Sequence, residues 1–365
     1  MVKKLKRSFN YIPIIAVVIV VIALILFLRP GMRGEMEGEE SKSSILSDKV
    51  KTLADGTKYI IHPSEILSGG PPKDGIPSID DPEFTSAEEA SWLNPDDLVL
   101  GLDYNGVAKA YPHRILNWHE IVNDFADDKP VLVTYCPLCR TGIAFEPVIN
   151  GERVEFGTSG KLWKANLVMY DRKTDTYWSQ VGGKAIVGEL AGMKLKQIPM
   201  DTATWKDWKE KHPDTLVLSK DTGFFRSYDR DPYASFANSP GVGFGVDFKD
   251  TRLFSKAIVY GIIVGDKTKA YSEQKVKETK LLNDEFAGKK LLVFWDPELN
   301  AVKIFDRTVD REELEFSLDG KLVDNSGREW NFGGSSGEMQ LERIDTFGLY
   351  WFSWLVTYPD TELFH

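Results

Sequence analysis

Hydrophobic and polar positions divide the chain into one unbroken apolar run near its start and a long series of short alternating segments after it. Residues 11–28 contain no charged residue and are dominated by Ile, Val, Leu, Ala and Phe. At 1.5 Å per residue, about 18 residues just cross a bilayer core, so the run predicts one transmembrane helix. Pro13 falls in its first turn, where the missing backbone donor has no intrahelical partner anyway. Lys3, Lys4, Lys6 and Arg7 precede the run, while Arg29, Arg33 and then Glu35, Glu37, Glu39 and Glu40 follow it. The positive-inside rule therefore places residues 1–10 in the cytoplasm and the rest of the chain outside. The apolar core is long for a signal peptide and Leu-Arg-Pro-Gly offers no Ala-x-Ala-like cleavage site, so a retained single-pass anchor in the cell membrane is expected. Residues 29–50, rich in Glu and Ser without an apolar period, read as a flexible tether.

The remainder reads as a loop-rich extension over 51–97 followed by many short strands. Shifting the chain by 160 residues aligns 98–162 with 258–322 without a gap, and 18 of 65 positions are identical. A tandem duplication is the simplest source of that match. Gly101 and Lys109-Ala110-Tyr111 match Gly261 and Lys269-Ala270-Tyr271 around a predicted hairpin turn. Asn123-Asp124 and Asn283-Asp284 precede the apolar runs Val131-Leu132-Val133 and Leu291-Leu292-Val293, which have the length and branching of buried strands. Further on, Trp205, Trp208 and Pro213-Asp214-Thr215 reappear as Trp351, Trp354 and Pro359-Asp360-Thr361, predicting a short Trp-bearing helix in each half with its indoles in the core. The expected architecture is α+β and predominantly β. Two homologous halves, 98–218 and 258–365, are joined by a connection over 219–257.

Composition narrows the class. No acidic residue precedes Glu35 whereas six of the 45 basic residues do, which leaves 39 basic against 55 acidic residues from position 34 on and a formal net charge of −16 there. Nucleic acid is thereby excluded as a partner of the external domain, and the membrane is reached only through the N-terminal helix. Aromatic residues at 12%, with 30 Gly and 18 Pro, suit a turn-rich β protein with a real core.

Candidate chemistry lies in what the second half lacks. Cys136 and Cys139 are the only cysteines; they align with Asp296 and Leu299, and His113 and His119 align with Glu273 and Thr279, while Pro137 is kept as Pro297. Folding does not need these residues twice, so they are candidates for function in the first half. Two thiolates three residues apart on a turn between strands resemble half of a metal knuckle, with His119 as the favoured third ligand, inside a predicted helix over 116–122 that runs into the Cys-bearing strand. His113, six residues earlier and about 240° around a helix, joins the same metal only if it precedes that helix. Zinc or a softer copper site both suit such donors. A redox-active dithiol has the same Cys-x-x-Cys spacing, with Arg140 placed to stabilise a thiolate, although no helix follows the first cysteine to lower its pKa. As a structural staple the pair is weak, since chain entropy gives only roughly 2 kcal/mol for so short a loop. A non-catalytic binding or assembly module using the aromatic segments around 224–233 is the third reading.

Gly-Gly-Pro-Pro-Lys-Asp-Gly (69–75), Ala-Tyr-Pro (110–112), His-Glu-Ile-Val-Asn-Asp (119–124), Tyr-Cys-Pro-Leu-Cys (135–139), Phe-Gly-Thr-Ser-Gly-Lys-Leu (156–162) and Trp-Ser-Gln (178–180) together resemble the domain-of-unknown-function family 3179 over roughly residues 60 to 305. That resemblance groups these segments and implies no activity. The residues themselves make Cys136, Cys139 and His119 the candidate metal or redox site, with Tyr111 and Arg140 as nearby cofactor-binding candidates.

Overall fold

The computed structural model describes residues 49–365. The expected basic tail, the anchor at 11–28 and nearly all of the tether lie outside the described residues, among which no helix is long and apolar enough to cross a membrane. What is described is mostly β, with a few short helices.

Over residues 98–146 and 258–306 the same elements occur twice at a spacing of 160 residues. Strands Leu98–Tyr104 and Val107–Pro112 form a hairpin, helix His113–His119 follows, and a second hairpin of Ile121–Ala126 and Lys129–Cys136 leads into Thr141–Glu146. The later set runs Ile258–Val264, Lys267–Ser272, helix Glu273–Thr279, Leu281–Phe286, Lys289–Asp296 and Ala301–Asp306. Even the registers correspond: Val99 faces Pro112 as Val259 faces Ser272, and Cys136 faces Thr141 as Asp296 faces Ala301.

Residues shared by the two sets explain the repetition. Asn123 donates to the Phe156 carbonyl at 2.9 Å and accepts from the Phe156 amide, and Asn283 does the same with Phe316. Asp124 receives the buried Lys109 ammonium at 2.8 Å and the Tyr111 hydroxyl at 2.6 Å; Asp284 receives Lys269 and Tyr271. Gly101 and Gly261 leave room for the indoles of Trp208 and Trp354, because a Cβ at either would collide with the ring. Each indole N–H donates to the threonine of its Pro-Asp-Thr turn, Thr215 or Thr361, so no buried donor is wasted.

The Trp helices cross between halves. Helix Trp205–Lys211 packs on the second half, where Asn300 donates to Asp207 at 3.1 Å and Leu299 shares a core with Trp205 and Trp208. Helix Trp351–Thr357 returns the contact: Trp351 and Trp354 share a core with Cys136, Leu138 and Cys139. The extension joins the first half, pairing Lys58–Tyr59 with Lys184–Val187 and Leu67–Ser68 with Phe156–Trp163. Its Gly- and Pro-rich loop lies along the latter strand, with the Asp74 amide donating to the Thr158 carbonyl and no room for a Cβ on Gly160 beneath Pro71.

Candidate functional site

Strand Lys129–Cys136 ends in a turn closed by the Cys139 amide on the Cys136 carbonyl at 3.2 Å. A turn of that kind holds its first and fourth Cα within about 7 Å, inside the reach of a disulfide. Both cysteines are free and buried. Arg140 ends the turn at φ 51, a left-handed conformation that costs a long side chain energy; the matching Asn300, at φ 49, suits it better.

Around the Cys139 sulfur the packing is polar in an otherwise apolar core. Ser353, from the second half's Trp helix, donates to it at 3.1 Å, and Asn166 donates at 3.4 Å. The Asn166 amide is itself oriented by Gln180, which accepts from it at 3.0 Å and donates to the Thr141 carbonyl. The backbone closes the same contact, with the Tyr350 amide on the Cys139 carbonyl at 2.9 Å. Burial alone raises a thiol's pKa, yet hydrogen bonds from Cys136, Ser353 and Asn166 outweigh it and hold the Cys139 thiol below its ordinary range. Cys136, buried beside Cys139 with only the Leu167 amide donating to it, is pushed well above. The pair is thus polarised: one sulfur is built to carry charge, the other to keep its proton. In the thiol form Cys139 donates instead to the Ala165 carbonyl at 3.1 Å.

Ser353→Ala is expected to raise the ionisation midpoint of Cys139 by roughly one to two pH units, since a hydrogen bond to a charged group is worth about 1.5–3 kcal/mol. Ultraviolet absorbance of the thiolate across a pH titration reads it directly. An unmoved midpoint makes Ser353 a packing residue only.

Glu120 completes the set. It is the left-handed residue (φ 58) that ends helix His113–His119, buried with the Tyr233 hydroxyl as its side-chain partner at 3.4 Å. Burial raises its carboxyl to about 7, and its charge in turn raises both cysteines. Lys280 takes its place in the second half.

The histidines depart from the expected metal set. The helix begins at His113 rather than near 116, so both rings belong to it and point to different sides. His119 Nδ1 bonds the Pro77 carbonyl at 2.8 Å and Nε2 the Tyr228 hydroxyl at 2.7 Å, leaving neither nitrogen for a metal beside the thiols. Burial lowers its pKa to about 4. His113 turns instead to Tyr135, whose hydroxyl lies 3.3 Å from Nδ1. Among the described residues no group of three or more His, Cys, Asp or Glu is disposed to hold a metal ion. Tyr111 also leaves the site: its hydroxyl belongs to Asp124, in a triad repeated where no cysteine exists. Arg140 stays, on the wall of a cleft of about 390 Å³ that opens over the turn, with Pro137, His113, Tyr135, Tyr233 and Tyr350. The connection, whose aromatic segment around 224–233 is the candidate binding surface of the third reading, supplies one side of this cleft.

Glu120, Asn166 and Ser353 were not singled out in the sequence. For Glu120 a signal existed, its exchange for Lys280 in the same comparison that exposed the cysteines. Ser353 had none, being 214 residues from its partner.

Among known proteins, the family described as "Protein of unknown function (DUF3179)" matches residues 73–361. That span includes the second half, beyond the reach of the motifs in the first. No curated protein and no solved structure matches.

Proposed function

We propose, for a chain that belongs to the DUF3179 family, that it is a membrane-anchored extracytoplasmic dithiol redox protein in which Cys136 and Cys139 pass between a dithiol and an intrachain disulfide. The observation that carries this reading is the polarised pair: a Cys139 sulfur receiving Cys136, Ser353 and Asn166 in a dry site, with Glu120 titrating near 7 beside it. Tandem duplication then accounts for the scaffold, the second half having kept the fold and given its Trp helix to the first half's thiol.

The chemistry balances with a partner disulfide as oxidant. Cys139 thiolate attacks one partner sulfur, forming a mixed disulfide and releasing one partner thiolate. The Cys136 thiol passes its proton to the Glu120 carboxylate and attacks the Cys139 sulfur, forming the intrachain bond and expelling the second thiolate. Two electrons go to the partner, and the reverse sequence oxidises a partner dithiol. A base near pKa 7 is matched to that proton transfer. Neither sulfur lines the cleft, whereas Pro137 and Arg140 of the same turn do, so the turn has to yield as the partner sulfur enters.

Equilibration of the full-length chain in glutathione buffers, with thiols counted by alkylation, tests the proposal. The expected result is one two-electron transition well above the roughly −300 mV of structural disulfides, absent in Cys136→Ser and in Cys139→Ser. A pair that never oxidises, or that glutathione cannot reduce, sinks it. Zinc or copper on the two sulfurs is the competing reading, and it lacks a nitrogen ligand because His119 is engaged elsewhere. Metal analysis of the same sample decides between them: stoichiometric metal that disappears in the double-Cys variant favours the competitor. Unchanged function in that variant favours a binding or assembly module.

A further inference from the structure

We propose that the cleft over the 136–139 turn binds a small organic molecule through a carboxylate, held between the Arg140 guanidinium and the Nε2–H of His113. The proposal stands on the donors of the cleft and not on the redox reading.

The tautomer follows from the partner of His113. A phenol with an ordinary pKa near 10 is a better donor than a neutral imidazole N–H, and an imidazole nitrogen is a better acceptor than a phenol oxygen. Tyr135 therefore donates to Nδ1, and the single ring proton resides on Nε2. Burial and the charge of Arg140 push the His113 pKa down to about 3, so the ring stays neutral at any ordinary pH. His113 is only 8% exposed, and its Nε2 is buried without a hydrogen-bond partner among the described residues. A buried donor left unmade is costly, and few are kept without a use.

Arg140 offers the matching charge. Its guanidinium makes no hydrogen bond or ion pair among the described residues, and the residue is held in its left-handed conformation on the same wall as His113. Glu273 feels its charge without coming within ion-pair distance. The neighbouring Arg114 differs, being neutralised by Asp97 at 2.8 Å and Asp229 at 3.3 Å.

Charge selects the anion. Asp96, Asp97, Asp229 and Asp231 also line the cleft, with Asp231 accepting from Asn117 at 3.1 Å and from the Tyr233 amide. Three arginines stand among these acids, Arg114 neutralised, Arg230 exposed and Arg140 half-buried beside the neutral N–H of His113, and Arg140 suits a monoanion whose two oxygens fit the planar Arg fork. A phosphate, with about two charges, meets four carboxylates against three guanidinia, one of them already neutralised. The rings of Tyr135, Tyr233 and Tyr350 leave flat walls for the body of the molecule.

Calorimetric titration of the reduced full-length chain in detergent tests this with benzoate and acetate, using benzamide as the neutral analogue and inorganic phosphate as the alternative anion. Both carboxylates are expected to bind, with benzamide and phosphate at least ten-fold weaker. Arg140→Asn, which places the residue the second half carries at that turn, is expected to weaken benzoate at least ten-fold while preserving the fold. His113→Phe, which keeps the ring and removes the donor, is expected to weaken it several-fold. Absence of carboxylate binding, phosphate binding as tight as benzoate, or unchanged affinity in Arg140→Asn overturns the assignment. Benzoate binding in a chain whose cysteines prove redox-inert leaves the assignment intact and removes only the redox reading.

Discussion

Asp124→Ala is expected to cost the fold about 3–5 kcal/mol, the range for breaking a buried ion pair from one side. Asp124 accepts from the Lys109 ammonium with both oxygens, at 3.0 and 2.8 Å, and from Tyr111 at 2.6 Å. Without it the ammonium keeps only the Phe125 carbonyl and the face of the Phe84 ring, and the Tyr111 hydroxyl is buried with nothing to donate to. The second half contains its own control. Lys269, Tyr271 and Asp284 repeat the triad, but the two charged side chains there are 12% and 17% exposed against 8% and 6% for Lys109 and Asp124. Water can partly replace the lost carboxylate, so Asp284→Ala is expected to cost about half as much. Urea unfolding of the two variants measures both, and equal costs contradict the account based on burial.

How far the fold could be read in advance follows from where each contact lies along the chain. The hairpins, the buried strand cores and the Trp helices depend on residues two to four apart, and their patterns were legible as such. So was the Cys turn, because a Cys-x-x-Cys between two strands needs only local geometry. The 160-residue spacing revealed which residues serve the scaffold, and Lys109, Asn123 and Asp124 are indeed the ones that tie each half together. Illegible were contacts whose partners meet only after both halves have packed. Ser353 reaches Cys139 because one half's helix crosses to the other, and Gln180 reaches Asn166 across paired strands. His119 shows the converse error. Proximity in sequence to the Cys-bearing hairpin suggested a ligand, but the start of the helix at His113 rotates the ring toward Pro77 and Tyr228.

Glu120 ought to make this protein less stable as the pH rises, the opposite of the usual carboxylate behaviour. Its folded pKa of about 7 lies above the unfolded value near 4.5, so between the two the folded state holds a proton that the unfolded state has released. Stability from this group is therefore complete below about pH 4.5, declines as the pH climbs, and is lost above about 7, with a total of roughly 3 kcal/mol. Glu120→Gln cannot titrate, so the difference between wild type and variant in urea unfolding should grow from pH 5 to about 7 and level off by pH 8; parallel curves would show that the carboxylate is solvated after all. The same substitution bears on the thiols. Negative charge on Glu120 opposes the Cys139 thiolate, which leaves the dry site room for one anion, carried by sulfur or carboxylate according to where the proton sits. Replacing Glu120 by Gln removes the competitor and should lower the pH at which Cys139 ionises, while the second step of disulfide formation slows for want of an acceptor for the Cys136 proton. A lower thiol midpoint together with slower ring closure separates a proton-accepting Glu120 from one that merely fills the core, since a filler would move neither.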